Sequence, residues 1–187
     1  MELRGTIRPG GRSARVQASV HAAVTRLLAS ENRAAVTIPM IAAEAGVTPS
    51  TIYRRWGDLQ ELLADVAVER FRPDTPPADT GTARGDLEAW AEQYLEEMAS
   101  EPGRAMIRDV IASQSCTGNA TRCCFYTRSQ IEEIGARAAA RGEPFPDTDR
   151  VIDTVVGPIM YRILFWETPS AEQGLRLVSR LFAEPEG

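Results

Sequence analysis

The stretch TIPMIAAEAGVTPSTIYRRW, residues 37–56, decides the fold. Thr37 is placed to cap a helix running to about Ala45, because a threonine hydroxyl can satisfy one of the free amides of a first turn. Gly46 supplies the left-handed backbone of a tight turn, and Val47 follows as a buried peg. Thr48-Pro49 reads as a cap and a first helical residue, since the missing proline N–H costs nothing there. The second helix, 49 to about 55, has only two turns. A helix that short does not persist alone, so the helices on either side must hold one face and leave the other open. Such a pair of helices about a glycine turn is a helix-turn-helix unit, whose second helix enters the major groove of DNA.

Reading outward, residues 13–30 carry Val16, Val20, Val24, Leu27 and Leu28 on one helical face. His21, the only histidine, lies on this helix with no cysteine or carboxylate at ligand spacing, and reads as structural. Asp58 and Glu61 form a capping box for a helix with Leu59, Leu62, Leu63, Val66 and Ala67 inward, ending near Arg72. Residues 1–12 are rich in Gly, Pro and Arg and read as a flexible arm. Its Arg4, Arg8 and Arg12 suit phosphates or a minor groove, and a plain disordered terminus is the equal alternative. The segment PDTPPADTGTARG, 73–85, holds three prolines and two glycines and marks a boundary between domains 1–72 and 73–187.

The second domain also reads as helical. Leu87, Trp90, Ala91, Tyr94, Leu95 and Met98 form a regular stripe, and Glu101-Pro102-Gly103 breaks it. A helix with Met106, Ile107, Val110 and Ile111 follows. A longer one runs through Cys123, Cys124, Ile131 and Ile134 to Gly142. From 149 to 166 apolar residues recur in adjacent pairs, a band wide enough for burial on two sides. Gly157-Pro158 is expected to kink that helix by removing the bond to Thr154. Ser170 and Gln173 form a second capping box, opening a last helix with Leu175, Val178, Leu181 and Phe182. The expectation is an all-α chain of about nine helices: a three-helix DNA-binding domain followed by a ligand-binding and dimerisation domain. Val155, Ile159, Arg162, Leu175, Val178 and Leu181 are the expected dimer contacts.

Charge is divided in the same way. All 21 basic residues are arginine, and the net charge is −5. Residues 1–72 hold ten arginines against seven acids, and residues 73–187 hold eleven against nineteen. A basic head and an acidic body suit a protein that touches DNA at one end. Three cysteines argue against a secreted disulfide framework. The N-terminus has no apolar signal core, and no apolar run approaches the ~20 residues of a membrane span. A cytoplasmic protein is expected.

The pattern Thr37…Ile41-Ala42…Ala45-Gly46-Val47-Thr48…Thr51-Ile52-Tyr53…Trp56 closely resembles the DNA-binding signature of the tetracycline-repressor (TetR) family, over about residues 13–70. The C-terminal part is similar by helix number and by the stretch GEPFPDTDRVIDTVVGPIMYRILF. The resemblance implies a homodimeric transcriptional regulator, usually a repressor released from its operator by a small ligand. It also implies phosphate contacts from Thr37 and Tyr53. The family places Lys three residues after the aromatic, where this chain has Leu59. Arg54 and Arg55 are the residues able to supply the charge.

On the reading helix, Thr48, Pro49, Ser50, Thr51 and Arg54 occupy the exposed N-terminal face that meets base edges. Arg54 is suited to a bidentate guanine contact, Arg55 to a phosphate, and Trp56 to the core. In the second domain Trp90, Tyr94, Met98, Met106, Phe125, Tyr126, Met160, Tyr161, Phe165 and Trp166 are expected to line a pocket for an apolar or aromatic effector. Cys116, Cys123 and Cys124 raise thiol sensing as an alternative, as does a protein partner or no effector. No phosphate loop, Gly-x-Ser-x-Gly or Cys–His pairing is present, so no enzyme, cofactor or metal is expected.

Overall fold

The computed structural model describes residues 11–113 and 118–183, apart from the side chain of residue 12. Among them every regular element is helical. The helices are α1 (Arg12–Ser30), α2 (Ile38–Ala45), α3 (Pro49–Trp56), α4 (Leu59–Arg70), α5 (Ala83–Ala99), α6 (Glu101–Ala112) and α7 (Asn119–Arg141), with a 3₁₀ turn at Arg33–Ala35. Helix α8 runs without interruption through Thr148–Val151, Ile152–Val156 and Gly157–Phe165, and α9 is Ala171–Ala183. Arg4, Arg8 and Cys116 lie outside the described residues. Arg12, expected in the arm, is the first residue of α1.

Contacts divide the chain into compact units Met1–Ala67 and Val68–Gly187, the division falling within the sequence of α4. The proline-rich stretch 73–85 is fastened inside the second unit. The Arg137 guanidinium donates to the carbonyls of Pro77 and Ala78, both at 2.9 Å. The Thr80 amide and hydroxyl donate to Asp86 Oδ1 at 2.6 and 2.8 Å, and Arg141 reaches Asp79 and Asp86. Proline removes backbone donors and keeps the segment out of a helix. Carbonyls left without a helical partner then become acceptors for arginine.

The first unit packs α1, α2, α3 and the front of α4 around Val20, Val24, Ile38, Ile41, Ile52, Leu62 and Leu63, all buried. The turn after α2 forms as its sequence demands: Gly46 sits at φ +67°, ψ +33°, and its amide closes on Ala42 and Ala43. The Asp58 carboxylate accepts from the Glu61 amide at 2.9 Å, capping α4.

In the second unit α5 lies against α9, with α6, α7 and α8 completing the bundle. Its core contains Leu87, Trp90, Leu95, Met106, Ile131, Ile134, Val151, Val155, Ile159, Ile163, Val178 and Leu181. Helices α5 and α6 join so tightly that a Cβ at Gly103 would lie 2.1 Å from the Glu97 carbonyl, so only glycine fits. At α9 the capping box is complete: the Ser170 amide donates to Gln173, and the Gln173 amide to Ser170. Pro158 follows an irregular turn within this helix. The preceding residues, Ile152–Val156, form a π turn, and the Gly157 amide bonds back to the Ile152 carbonyl. The wider turn lets a proline stand in a continuous helix.

Candidate nucleic-acid interface

Helix α3 is anchored by one fully buried residue, Ile52, with Thr51 and Trp56 half-buried. Thr48, Pro49, Ser50, Tyr53, Arg54 and Arg55 are exposed, so its outer face is polar and basic. Thr37 and Thr48 both take the extended backbone of a capping residue, but neither hydroxyl caps its helix. The Thr48 hydroxyl instead lies 2.9 Å from that of Ser50 and 3.0 Å from that of Thr51. Three hydroxyls thus cluster where α3 begins, beside helix-end amides that favour an anion. Thr37 stands exposed at the start of α2 in the same way.

The two arginines of α3 differ. Arg54 is exposed and, among the described residues, is engaged with no other group. Arg55, expected on a phosphate, is turned back onto α1. Its Nη1 donates to the Ser13 carbonyl at 3.0 Å and the Ser13 hydroxyl at 2.8 Å, and its Nη2 donates to Gln17 Oε1. Its guanidinium carbon also lies 5.2 Å from the centre of the Trp56 ring. Trp56 in turn donates its indole N–H to Asp65 Oδ2 at 2.8 Å, and His21 Nε2 lies 2.8 Å from the same oxygen. Leu59, in the position of the family lysine, packs on the apolar core of this unit. Asp65, Ser13 and Gln17 thus hold the last turn of α3. Asp65 lies off the apolar stripe of α4, and neither it nor Ser13 and Gln17 carries a signal in the sequence.

In the second unit a cavity of about 590 Å³ is bounded by the end of α4, residues 71–75, α5, α6 and α7. Of the aromatic and sulfur side chains named for a pocket, Tyr94, Met98, Met106 and Tyr126 stand on its wall. Trp90 does not reach the wall. It is buried behind it, stacked on Tyr94 and donating to Gln130, which does line the cavity. Phe125, Tyr161, Phe165 and Trp166, between 59% and 73% exposed, stand on the surface instead. Met160 is half-buried and outside the cavity wall. Helical spacing locates an aromatic on a helix, but not which side its neighbours occupy. The polar lining, with Gln93, Thr127 and Gln130, was not anticipated. Burial raises the Tyr94 hydroxyl well above its ordinary value. Burial and the neighbouring Cys124 push the Cys123 thiol up to about 11. A protonated, half-buried thiol is a poor nucleophile.

The expected dimer residues also divide. Val155, Ile159, Val178 and Leu181 are buried within the chain's own core and have no face to offer a partner. Leu175 is half-buried and Arg162 exposed. The outer face of α8 is formed by Pro158, Tyr161, Arg162 and Phe165, one helical stripe, with Leu164 and Trp166 beside it. Among the described residues no helix is long and apolar enough to cross a membrane, and no group of three or more His, Cys, Asp or Glu is disposed to hold a metal.

Two family models match this chain. One, described as bacterial regulatory proteins, tetR family, matches residues 21–66, and another, described as a tetracyclin repressor-like C-terminal domain, matches residues 77–181. The chain is 31% identical over 125 residues to the HTH-type transcriptional regulator AqdR of Rhodococcus erythropolis, covering 65% of this chain and 60% of that protein. It is 27% identical over 145 residues to the uncharacterized HTH-type regulator YdeS of Bacillus subtilis, covering 74% and 73%. Among solved structures it resembles the TetR family transcription regulator SCO0332, at 27% identity and a TM-score of 0.68 over 90% of this chain and 97% of that one.

Proposed function

The chain belongs to the TetR family of DNA-binding transcriptional regulators, and from that premise we propose that it is a homodimeric repressor released from its operator by a small, largely aromatic ligand. The observation that carries the DNA-reading part is the open face of α3. Three hydroxyls cluster at its start, Tyr53 is 52% exposed, and Arg54 is unengaged among the described residues. In this reading Ser50, Thr51 and Pro49 meet base edges, and Arg54 makes the bidentate contact to guanine. Thr37, Thr48 and Tyr53 hold phosphates.

Dimerisation supplies the second reading helix. The aromatic outer face of α8, with α9 beside it, is the surface we assign to it, because exposed aromatics on a well-anchored helix are the usual core of a protein interface. The two half-sites then stand a helical turn of DNA or more apart, ~34 Å or longer.

The cavity supports the effector part. Met98 and Met106 form a buried apolar floor, Tyr94 and Tyr126 offer ring faces, and Thr127 and Gln130 offer hydrogen bonds. Exposed Arg72, Asp74, Glu96 and Glu97 belong to its mouth. An uncharged aromatic molecule carrying one or two polar groups fits that lining. It would touch Val68 and Arg70 in the last turn of α4, the helix whose Leu62 and Leu63 lie in the DNA-binding core. Release requires that the ligand bind the DNA-incompetent spacing more tightly than the competent one.

The test is selection of bound sequences from random duplex DNA, followed by a release assay on the selected operator with uncharged aromatic compounds. An inverted repeat bound by the dimer and released by a compound that fails against a cavity-filling Met106→Trp variant is the expected result. Recovery of no preferred sequence would overturn the proposal.

A further inference from the structure

The adjacent arginines of α3 carry equal charge and sit about 100° apart on a helix, yet among the described residues only Arg55 has partners. Arg55 makes three hydrogen bonds to the first turns of α1, through Ser13 and Gln17, and covers the ring of Trp56. A cation near a helix N-terminus is opposed by the helix dipole. Its place there therefore has to be held by specific acceptors, and the planar guanidinium with its five donors is the side chain shaped for that.

The mechanical need is plain. Helix α3 has eight residues and a single fully buried side chain, Ile52, about which it could roll. Its last turn is restrained on two sides. Trp56 ties it to Asp65 of α4, and Arg55 ties it to Ser13 and Gln17 of α1. A roll of α3 would move Arg54, Ser50 and Thr51 off their base edges, and a misplacement of about 1 Å is enough to spoil directional contacts.

We infer that Arg55 is a positioning residue: it locks the rotation of the reading helix against α1 so that Arg54 can read, and it is not itself a phosphate ligand. This rests on the proposal that α3 reads DNA.

The two roles separate by salt dependence and by coupling. Each phosphate contact contributes about 0.9 to the slope of log affinity against log salt, and a positioning residue contributes none. Operator binding is measured by fluorescence anisotropy across a salt series for the intact protein, Arg55→Ala, Ser13→Ala with Gln17→Ala, and all three together, with Arg54→Ala as reference. Circular dichroism melts verify that each variant is folded.

The expected result is that Arg55→Ala weakens binding about tenfold, within the range of measured pair couplings, with the salt slope unchanged. Ser13→Ala with Gln17→Ala should weaken binding measurably but less, because the bond to the Ser13 carbonyl survives, and the combined variant should be no worse than Arg55→Ala alone. A slope reduced by about one in Arg55→Ala would overturn the inference. So would unchanged or tighter binding after Ser13→Ala with Gln17→Ala, because a phosphate ligand freed from α1 gains reach. If Arg54→Ala also leaves operator affinity and preference intact, the DNA-reading proposal itself fails, and that outcome is distinct from the other two.

Discussion

Helices α3 and α8 both hold one face out to solvent, but they are built on opposite terms. Helix α3 is eight residues long, buries Ile52 alone completely, and exposes hydroxyls, a tyrosine and arginines. Its stability is borrowed from α1, α2 and α4. Helix α8 buries Val151, Val155, Val156, Ile159 and Ile163, and still exposes Tyr161, Leu164 and Phe165, with Trp166 exposed just past its end. It is anchored along its whole length in the core of the second unit. A polar face on a dependent helix suits a partner that comes and goes, since each contact is regained from water when the partner leaves. An aromatic face on a well-anchored helix suits a partner that stays, because water regains nothing there. The first unit therefore carries the reversible contact with DNA, and the second carries the surface assigned to a permanent one.

Breaking the face proposed for the partner should have the largest effect. Tyr161→Asp with Phe165→Asp places two charges on the outer face of α8. The expected outcome is a monomer by analytical ultracentrifugation and a loss of operator affinity of ~100-fold or more, the usual scale of lost bivalency. A dimer surviving both changes would move the interface elsewhere. Ile52→Ala attacks the other helix at its one anchor. It should destabilise the first unit by ~2–5 kcal/mol, the range for Ile→Ala in a core. Thermal melts and proteolysis should show the loss in the first unit while the second stays folded.

Arg54→Ala leaves the fold alone and should remove ~1–3 kcal/mol of discrimination at one operator position. Repeating the sequence selection with the variant reads this directly, and full retention of preference would remove Arg54 from the reading set. The smallest effect concerns Asp86, which ties the proline-rich strap to α5. Burial alone would raise its carboxyl, but the Thr80 amide, Arg141, the Thr80 hydroxyl and Arg137 outweigh burial and hold it below the ordinary 3.8. Because the folded value is lowered, this stabilisation is complete above 3.8 and is lost as pH falls through the folded value. Acid unfolding followed by circular dichroism should be less steep in Asp86→Asn than in the intact protein.

What could be read from the chain alone follows from how local each feature is. The turn at Gly46 and the caps at Asp58 and Ser170 each depend on a few consecutive residues whose backbone needs are nearly the same in any fold. The all-helical class, the position of α3 and its membership in a helix-turn-helix unit rest on such features, and they form as the residues require. Side-chain capping by Thr37 and Thr48 did not follow. A threonine hydroxyl has other partners within reach, and at Thr48 the neighbouring hydroxyls hold it.

The tertiary structure alone decided which way each long side chain faces. Tyr94 and Tyr126 line the cavity while Phe125, Tyr161 and Phe165 stand in solvent, although all five sit on apolar helical patterns. Val155 and Ile159 are core, and Tyr161 and Phe165 take the outer face that the wide apolar band of α8 had implied without locating. Arg54 and Arg55 are identical in kind and adjacent in sequence, yet one is open and the other is held by Ser13 and Gln17, some forty residues away. Periodicity fixes angles about one helix axis. It carries no information about where the next axis lies, and burial and partnership are properties of the pair.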